Sequence, residues 1–167
     1  MPRLMTLLVA LLAPAFAQAQ ICPDPVEVKV SDRLIAELID WIDANSKYKI
    51  SALPPARIQF CKSDVTFALD DAGIIVDPGL QSAYDPATQT IYMTAPWSPI
   101  NPEMSSIILH NLVHHAQTQL AEWPCLRATQ FEAFWLQDRW INHQGYRTGF
   151  DWTQILVDSH CPQQPDN

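Results

Sequence analysis

Four cysteines place the strongest constraint on how this chain can fold. They lie at positions 22, 61, 125 and 161, and no two of them form the C-x-x-C pair from which four-thiolate zinc sites are usually built. Two disulfides are therefore expected, and three pairings are possible. A helix over about residues 127–143, followed by a return segment of similar reach, would bring Cys161 back beside Cys125. We predict Cys125–Cys161 and, with it, Cys22–Cys61.

The amino terminus predicts export. One basic residue, Arg3, precedes an unbroken apolar run over residues 7–13, and small-x-small cleavage sites follow at residues 15–17 and 17–19. The apolar run is too short to span a bilayer and is typical of a secretory signal peptide. We therefore predict a signal peptide over residues 1–19 and no membrane span after its cleavage. A leader of this form fits a bacterial protein that is periplasmic or secreted, where disulfides persist.

The charge balance narrows the choice of partner. The formal net charge is −8, which argues against a nucleic-acid backbone or an anionic membrane surface as the main ligand. An acidic chain is compatible with cation binding, although four of its carboxylates fall on a predicted solvated helix face. These are Asp32, Glu37, Asp40 and Asp43. No nucleic-acid partner is predicted.

The length that remains after the predicted signal peptide suits a single domain with its own core. Helical and strand patterns both occur, so we predict an α+β fold over residues 20–161. The last residues, 162–167, are polar and proline-containing, and we expect them to fray as a flexible tail.

Local patterns place the elements of this domain. Apolar residues recur at helical spacing over residues 32–45, with Ser31 or Asp32 as the cap. Strands are predicted over three short segments. These segments are residues 57–62, 73–76 and 89–94. Asp77-Pro78-Gly79 is predicted to form a turn, because each of its residues favours one.

One helix carries the most informative residues. Asn101 is a good N-cap and Pro102 suits the first helical position, so a helix is predicted over residues 102–120. His110 and His114 lie about 40° apart on it, at the border of its apolar face. The alternative explanation of this pair is two helix histidines that border a core.

Two histidines at i and i+4 can present ring nitrogens to one ion, and neutral imidazole suits zinc. A third ligand is expected from Glu132, in a second helical run over residues 128–141, after a break at residues 123–125. Two histidines and a glutamate with an open fourth position form a catalytic zinc site. We therefore predict that His110, His114 and Glu132 bind Zn²⁺.

About half of the chain resembles the gluzincin type of zincin metallopeptidase, which combines H-E-x-x-H with a later glutamate. Residues 107–119, IILHNLVHHAQTQ, resemble the motif helix, and residues 131–137, FEAFWLQ, resemble the glutamate helix of a small bacterial family. Residues 84–93 resemble the strand that edges a zincin cleft. The resemblance implies a small sheet packed on a helical core, a two-helix metal site and a peptide or protein substrate.

One departure from that motif affects the residue that would act as general base. Asn111 stands where the motif has the glutamate that takes a proton from the attacking water. An amide cannot accept that proton, and loss of a general base costs about 10²–10⁴ in rate. Two hypotheses follow, and the sequence leaves enzymatic activity open. The chain is either a zinc hydrolase, most plausibly a peptidase, with an impaired general-base step, or an inactive zincin-fold binding or structural module (a pseudoenzyme).

A second departure concerns the groups that orient the ligands. Gluzincins often place an aspartate one turn after the third ligand, and that position is Leu136 here. Gln117, Gln137 and Asp138 are candidates to orient the ligands instead. Each of the three is equally consistent with an ordinary helix surface.

Overall fold

A computed structural model describes residues 21–63, 67 and 73–162 of the chain. The predicted signal peptide and residues 163–167 of the predicted tail lie outside these residues. Among the helices that are described, none combines the length and the apolar character needed to cross a membrane.

The described residues form a mixed five-stranded sheet in the order β1-β2-β5-β4-β3. β2 and β5 are parallel, and the other neighbouring pairs are antiparallel. The strands are β1 (Pro25–Val26), β2 (Arg57–Cys61), β3 (Ile75–Asp77), β4 (Ser82–Asp85) and β5 (Thr90–Thr94).

Four α-helices accompany the sheet: α1 (Asp32–Asn45), α2 (Pro102–Leu120), α3 (Gln130–His143) and α4 (Trp152–Asp158). Short 3₁₀ turns lie at Ile50–Ala52, Pro78–Leu80 and Leu126–Thr129. The prediction of an α+β fold is therefore confirmed, whereas its finer, zincin-like form is taken up below as a proposal.

Side-chain caps begin the first two helices where the sequence predicts them. The Ser31 hydroxyl accepts a hydrogen bond from the Leu34 amide at 3.3 Å. The Asn101 side chain accepts from the Glu103 amide at 2.9 Å, with Pro102 in the first turn. These bonds satisfy amide groups that a helix start otherwise leaves unpaired.

The main core lies between the sheet and helices α1, α2 and α3. Ile91 from β5, Leu38 from α1, Leu109 from α2 and Leu136 from α3 are all fully buried in it. α2 is buried along most of its length, including seven polar side chains: Ser105, Ser106, His110, Asn111, His114, His115 and Gln117. Because buried polar groups need partners, these side chains are expected to hydrogen-bond within the interior.

The two disulfides have the predicted pairing. Cys22–Cys61 joins the segment before β1 to the end of β2. Cys125–Cys161 joins the segment after α4 to the connection between α2 and α3. Two disulfides indicate an oxidising compartment outside the cytoplasm.

Candidate metal centre

Helix α2 brings His110 and His114 together in the interior. Both side chains are fully buried, and their Nε2 atoms lie 2.9 Å apart. The i, i+4 spacing stacks the two imidazoles on one side of the helix, as the sequence predicts.

The edge of the sheet supplies a carboxylate to the same point. Asp77 is the last residue of β3 and pairs with Ser82 of β4. The residue is 2% exposed, with Oδ1 3.3 Å from His110 Nε2 and Oδ2 3.9 Å from His114 Nε2. Among the described residues, Asp77, His110 and His114 form the one group of three or more His, Cys, Asp or Glu side chains close enough to share an ion.

The separations fit a tetrahedral ion. With bonds of about 2.0–2.1 Å, two ligand atoms on tetrahedral zinc lie ~3.3 Å apart. The two Nε2 atoms lie 2.9 Å apart. Oδ1 of Asp77 lies 3.3 Å from His110 Nε2 and Oδ2 lies 3.9 Å from His114 Nε2, so the three separations lie on either side of that value.

A glutamine determines which nitrogen of His110 faces the group. The Gln137 amide nitrogen donates to the Ser106 hydroxyl at 2.9 Å, so the amide oxygen is left to accept. It lies 3.0 Å from His110 Nδ1. His110 Nδ1 therefore carries the hydrogen, and the lone pair of Nε2 is directed towards Asp77.

A second glutamine does the same for His114. The Gln117 amide nitrogen donates to the Thr129 carbonyl at 3.0 Å and to Glu132 Oε2 at 3.2 Å. Its oxygen lies 3.1 Å from His114 Nδ1 and accepts from it. The Nε2 lone pair of His114 thus faces the same point as that of His110.

Three acceptor groups consequently meet in the interior, and the described residues place no donor between them. Both carboxylate oxygens of Asp77 are buried and have no hydrogen-bond partner among the described residues. Burial by itself raises the pKa of Asp77, but protonation of the two histidines, His110 first, outweighs burial and holds it below its usual range. A cation bound between the three groups would satisfy their acceptors.

Burial lowers the pKa of the His114 imidazole. The nearby carboxylate of Asp77 opposes this effect, but burial is the larger contribution. The neutral form of His114 is the form that binds a metal ion, so burial prepares this side chain as a ligand.

The structure does not bring the predicted ligand Glu132 into the group. Its Oε2 accepts from the Tyr48 hydroxyl at 2.5 Å and from Gln117, and its Oε1 lies 3.4 Å from Lys47 Nζ. Glu132 reaches His114 only through Gln117. Asp77 occupies the place expected for the third ligand.

Sequence reasoning missed Asp77 because Asp-Pro-Gly is typical of a turn. In the structure Asp77 ends β3, and a 3₁₀ turn begins at Pro78. The available signal was that Asp77 directly follows the strand predicted over residues 73–76. The sequence did not indicate that this strand lies beside α2.

Asn111, at the position of the motif glutamate, is fully buried. Its amide nitrogen donates to the Ser82 hydroxyl at 3.0 Å and to the Ile107 carbonyl at 2.9 Å. Its amide oxygen has no partner among the described residues. An ionised glutamate has no donor, so the surroundings of this position suit an amide.

The candidates for orienting the ligands separate into two groups. Gln117 and Gln137 each contact one histidine. Asp138, which follows Gln137, accepts instead from the Thr148 hydroxyl and, through its backbone carbonyl, from Asn142.

A cleft of about 330 Å³ reaches the group on the side of Asp77. Its lining also includes Val76, Gly79, Arg127, Gln130, Phe134, Ile155 and Asp158. Helix α4 supplies Ile155 and Asp158, and the Phe134 ring packs edge-on against the His110 ring with centroids 4.5 Å apart. The cleft therefore adjoins the group at Asp77, whose carboxylate oxygens are themselves buried.

Comparison with known protein families identifies the family of this chain. A family model described as a domain of unknown function (DUF6647) matches residues 27–166. That range includes Asp77, His110 and His114. No curated protein and no solved structure matches the chain.

Proposed function

This chain belongs to the DUF6647 family, and we propose that it is a periplasmic or secreted protein that binds one zinc ion through Asp77, His110 and His114. One observation carries the proposal: three buried acceptor groups converge, with no donor between them among the residues that the structure describes. The two disulfides support the extracytoplasmic location.

The donor set favours zinc among the common metals. Two imidazole nitrogens and one carboxylate oxygen are zinc ligands, whereas Ca²⁺ and Mg²⁺ prefer oxygen alone. The same set also occurs in non-haem Fe(II) sites. Zinc is redox-inert, which suits the oxidising compartment that the disulfides indicate.

Three protein ligands beside a cleft are typical of catalytic zinc sites rather than structural ones. When bound, zinc supplies a water of lowered pKa and polarises a carbonyl. Gln117 and Gln137 hold the imidazoles, and the cleft beside Asp77 admits a substrate. We therefore propose zinc-dependent hydrolysis, with a peptide amide as the substrate class that the zincin resemblance suggests. The mixed sheet beside the histidine helix supports that resemblance.

A non-catalytic zinc-binding or structural module is the second candidate. Asn111 favours it, because an amide at this position cannot act as a general base and both of its donor hydrogens are engaged. Hydrolysis would then lack its usual proton acceptor.

Zinc stoichiometry and affinity test the ligand set. We expect one zinc per wild-type chain and loss of stoichiometric zinc in His110→Ala and in Asp77→Asn. Glu132→Gln is the matched control, because its carboxylate lies outside the group, and it should retain zinc. Circular dichroism verifies that each variant is folded. If Asp77→Asn retains zinc and Glu132→Gln loses it, the third ligand is Glu132, as the sequence predicts, and not Asp77. A wild type that binds no zinc would refute the proposal.

Activity separates the two candidates. The zinc-loaded wild type and His110→Ala are compared on a peptide library by mass spectrometry. Cleavage that requires His110 supports the hydrolase, whereas stoichiometric zinc without cleavage supports the binding module.

A further inference from the structure

The cleft beside Asp77 combines three features that together define a ligand class. They are a buried acceptor without a partner, a cationic side chain at the rim, and apolar walls. None of the three features comes from a proposed zinc ligand.

The acceptor is the side-chain oxygen of Gln130. This residue is 9% exposed, and its amide nitrogen lies 3.5 Å from the Val76 carbonyl, to which it donates. The amide oxygen is buried and has no partner among the described residues. A buried acceptor without a donor is costly, so a ligand with an N–H group would satisfy it.

The cation at the rim is Arg127. It is exposed, and within the part of the chain that the structure describes no carboxylate lies within ion-pair distance of it. A guanidinium offers a planar fork of donors that matches a carboxylate. Asp158 also lines the cleft, and it accepts from the Gln154 amide at 2.9 Å.

The apolar walls are Phe134 and Ile155. Phe134 extends from the edge of the His110 ring to the cleft. Ile155 belongs to α4 and is half-buried. An apolar side chain of a ligand has a surface to pack against here.

From these features we propose that the cleft binds a carboxylate-bearing amide such as the C-terminal residue of a peptide. Gln130 accepts from the ligand N–H, Arg127 pairs with its carboxylate, and Phe134 packs against its side chain. This proposal rests on the proposed function in one respect, because zinc held at Asp77 would polarise the amide carbonyl of the bound ligand. The recognition groups themselves belong to the chain.

A pair of small probes tests the inference by NMR titration. N-acetylphenylalanine has the N–H, the carboxylate and an apolar ring, whereas N-acetylphenylalanine amide lacks only the carboxylate charge. We expect the wild type to bind the acid about tenfold or more tightly than the amide, the effect of one charge-assisted hydrogen-bonded pair. Arg127→Gln should remove this preference, and 3-phenylpropionate, which has no N–H, should bind more weakly than the acid.

Asp158→Asn is the control of opposite charge. It should retain or strengthen binding of the acid, and equal affinities of the wild type for acid and amide would overturn the inference. Loss of acid binding in Asp158→Asn would also overturn it. Zinc content is measured on the same samples, with and without metal. A preference for the acid in protein that takes up no added zinc would support the cleft while refuting the zinc site, and zinc uptake without a preference would do the reverse.

Discussion

At the scale of single residues, the amides of Gln117 and Gln137 hold both histidines in the tautomer that a metal requires. Each glutamine donates through its nitrogen to a group outside the centre and accepts through its oxygen from a histidine Nδ1. Neither imidazole can turn its Nε2 lone pair away without losing that bond. The hydrogen bonds of the two glutamines therefore determine which nitrogen of each histidine is available to bind a metal ion.

Gln137→Leu should weaken zinc binding without abolishing it. The leucine cannot accept from His110 Nδ1, and loss of such a partner typically costs 10–100-fold in metal affinity. A competition titration against a chelator measures the dissociation constant. Asp138→Asn is the neighbouring control and should bind zinc like the wild type, because Asp138 contacts Thr148 rather than a histidine. Equal weakening in both variants would contradict the role given to Gln137.

The metal-free protein should lose stability in mild acid. Because burial lowers the pKa of His114, the unfolded chain binds this proton more readily than the folded chain. The contribution of His114 to the free energy of unfolding is then fully present above about pH 6.5. It decreases as the pH falls below that value, by at most ~1.4 kcal/mol per pH unit. The pKa of Asp77 is lowered on balance, so its contribution is lost only below about pH 4.

Urea unfolding in the presence of a chelator measures this effect. We expect the free energy of unfolding to be roughly 1 kcal/mol lower at pH 5.0 than at pH 7.5. In His114→Asn, the free energy of unfolding should change less between pH 5.0 and pH 7.5 than in the wild type. A wild type that becomes more stable on acidification would show that the protonated pair, rather than the neutral one, is the preferred form.

At the scale of elements, α4 forms a strap over the cleft. It has no fully buried residue, yet it supplies Ile155 and Asp158 to the cleft wall. Phe150 and Trp152 continue an aromatic row that starts at Phe134. With so little burial, the strap depends strongly on the disulfide that ends it.

Removing that disulfide should release α4 before the core. Cys125 and Cys161 are separated by 36 residues, and closing a loop of that size is worth about 3–4 kcal/mol. The double variant Cys125→Ser/Cys161→Ser should lose stability in this range and show faster amide hydrogen exchange in α4 than in α2. Cys22→Ser/Cys61→Ser is the control, and it should leave α4 exchange unchanged. Equal acceleration in both double variants would contradict this role.

The sequence predicted the long elements and missed short ones such as β4 and α4. α1 and α2 have N-caps and apolar periodicity, so their bounds were predicted closely. All four residues of β4 are buried, and a strand buried on both faces shows no alternation. α4 has seven residues and no buried face, so its pattern carried no helical stripe.

The candidate site was predicted in part for a similar reason. The spacing of His110 and His114 is local, and helix geometry alone places them together. The third group depends on which distant segment packs against that helix. The pairing of β3 with β4 and the contact of Ser82 with Asn111 bring Asp77 there, and neither is visible in the order of residues.

At the scale of the whole molecule, the proposed zinc site joins parts that are distant in sequence. Asp77 lies at the edge of the sheet and the two histidines on α2, while Gln137 connects the group to α3. An ion held there stabilises the folded chain over the unfolded one, because the unfolded chain does not hold these ligands together.

Zinc should therefore raise the melting temperature. At a free concentration of 100 times the dissociation constant, binding adds about 2.7 kcal/mol to the free energy of unfolding. For a domain of this size that corresponds to a rise of roughly 5–10 °C. A thermal shift assay with zinc, and its reversal by a chelator, measures the change. Glu132→Gln should keep the full shift and His110→Ala/His114→Ala should lose it, because only the second variant lacks nitrogen ligands. A shift of equal size in the double histidine variant would place the ion elsewhere on the chain.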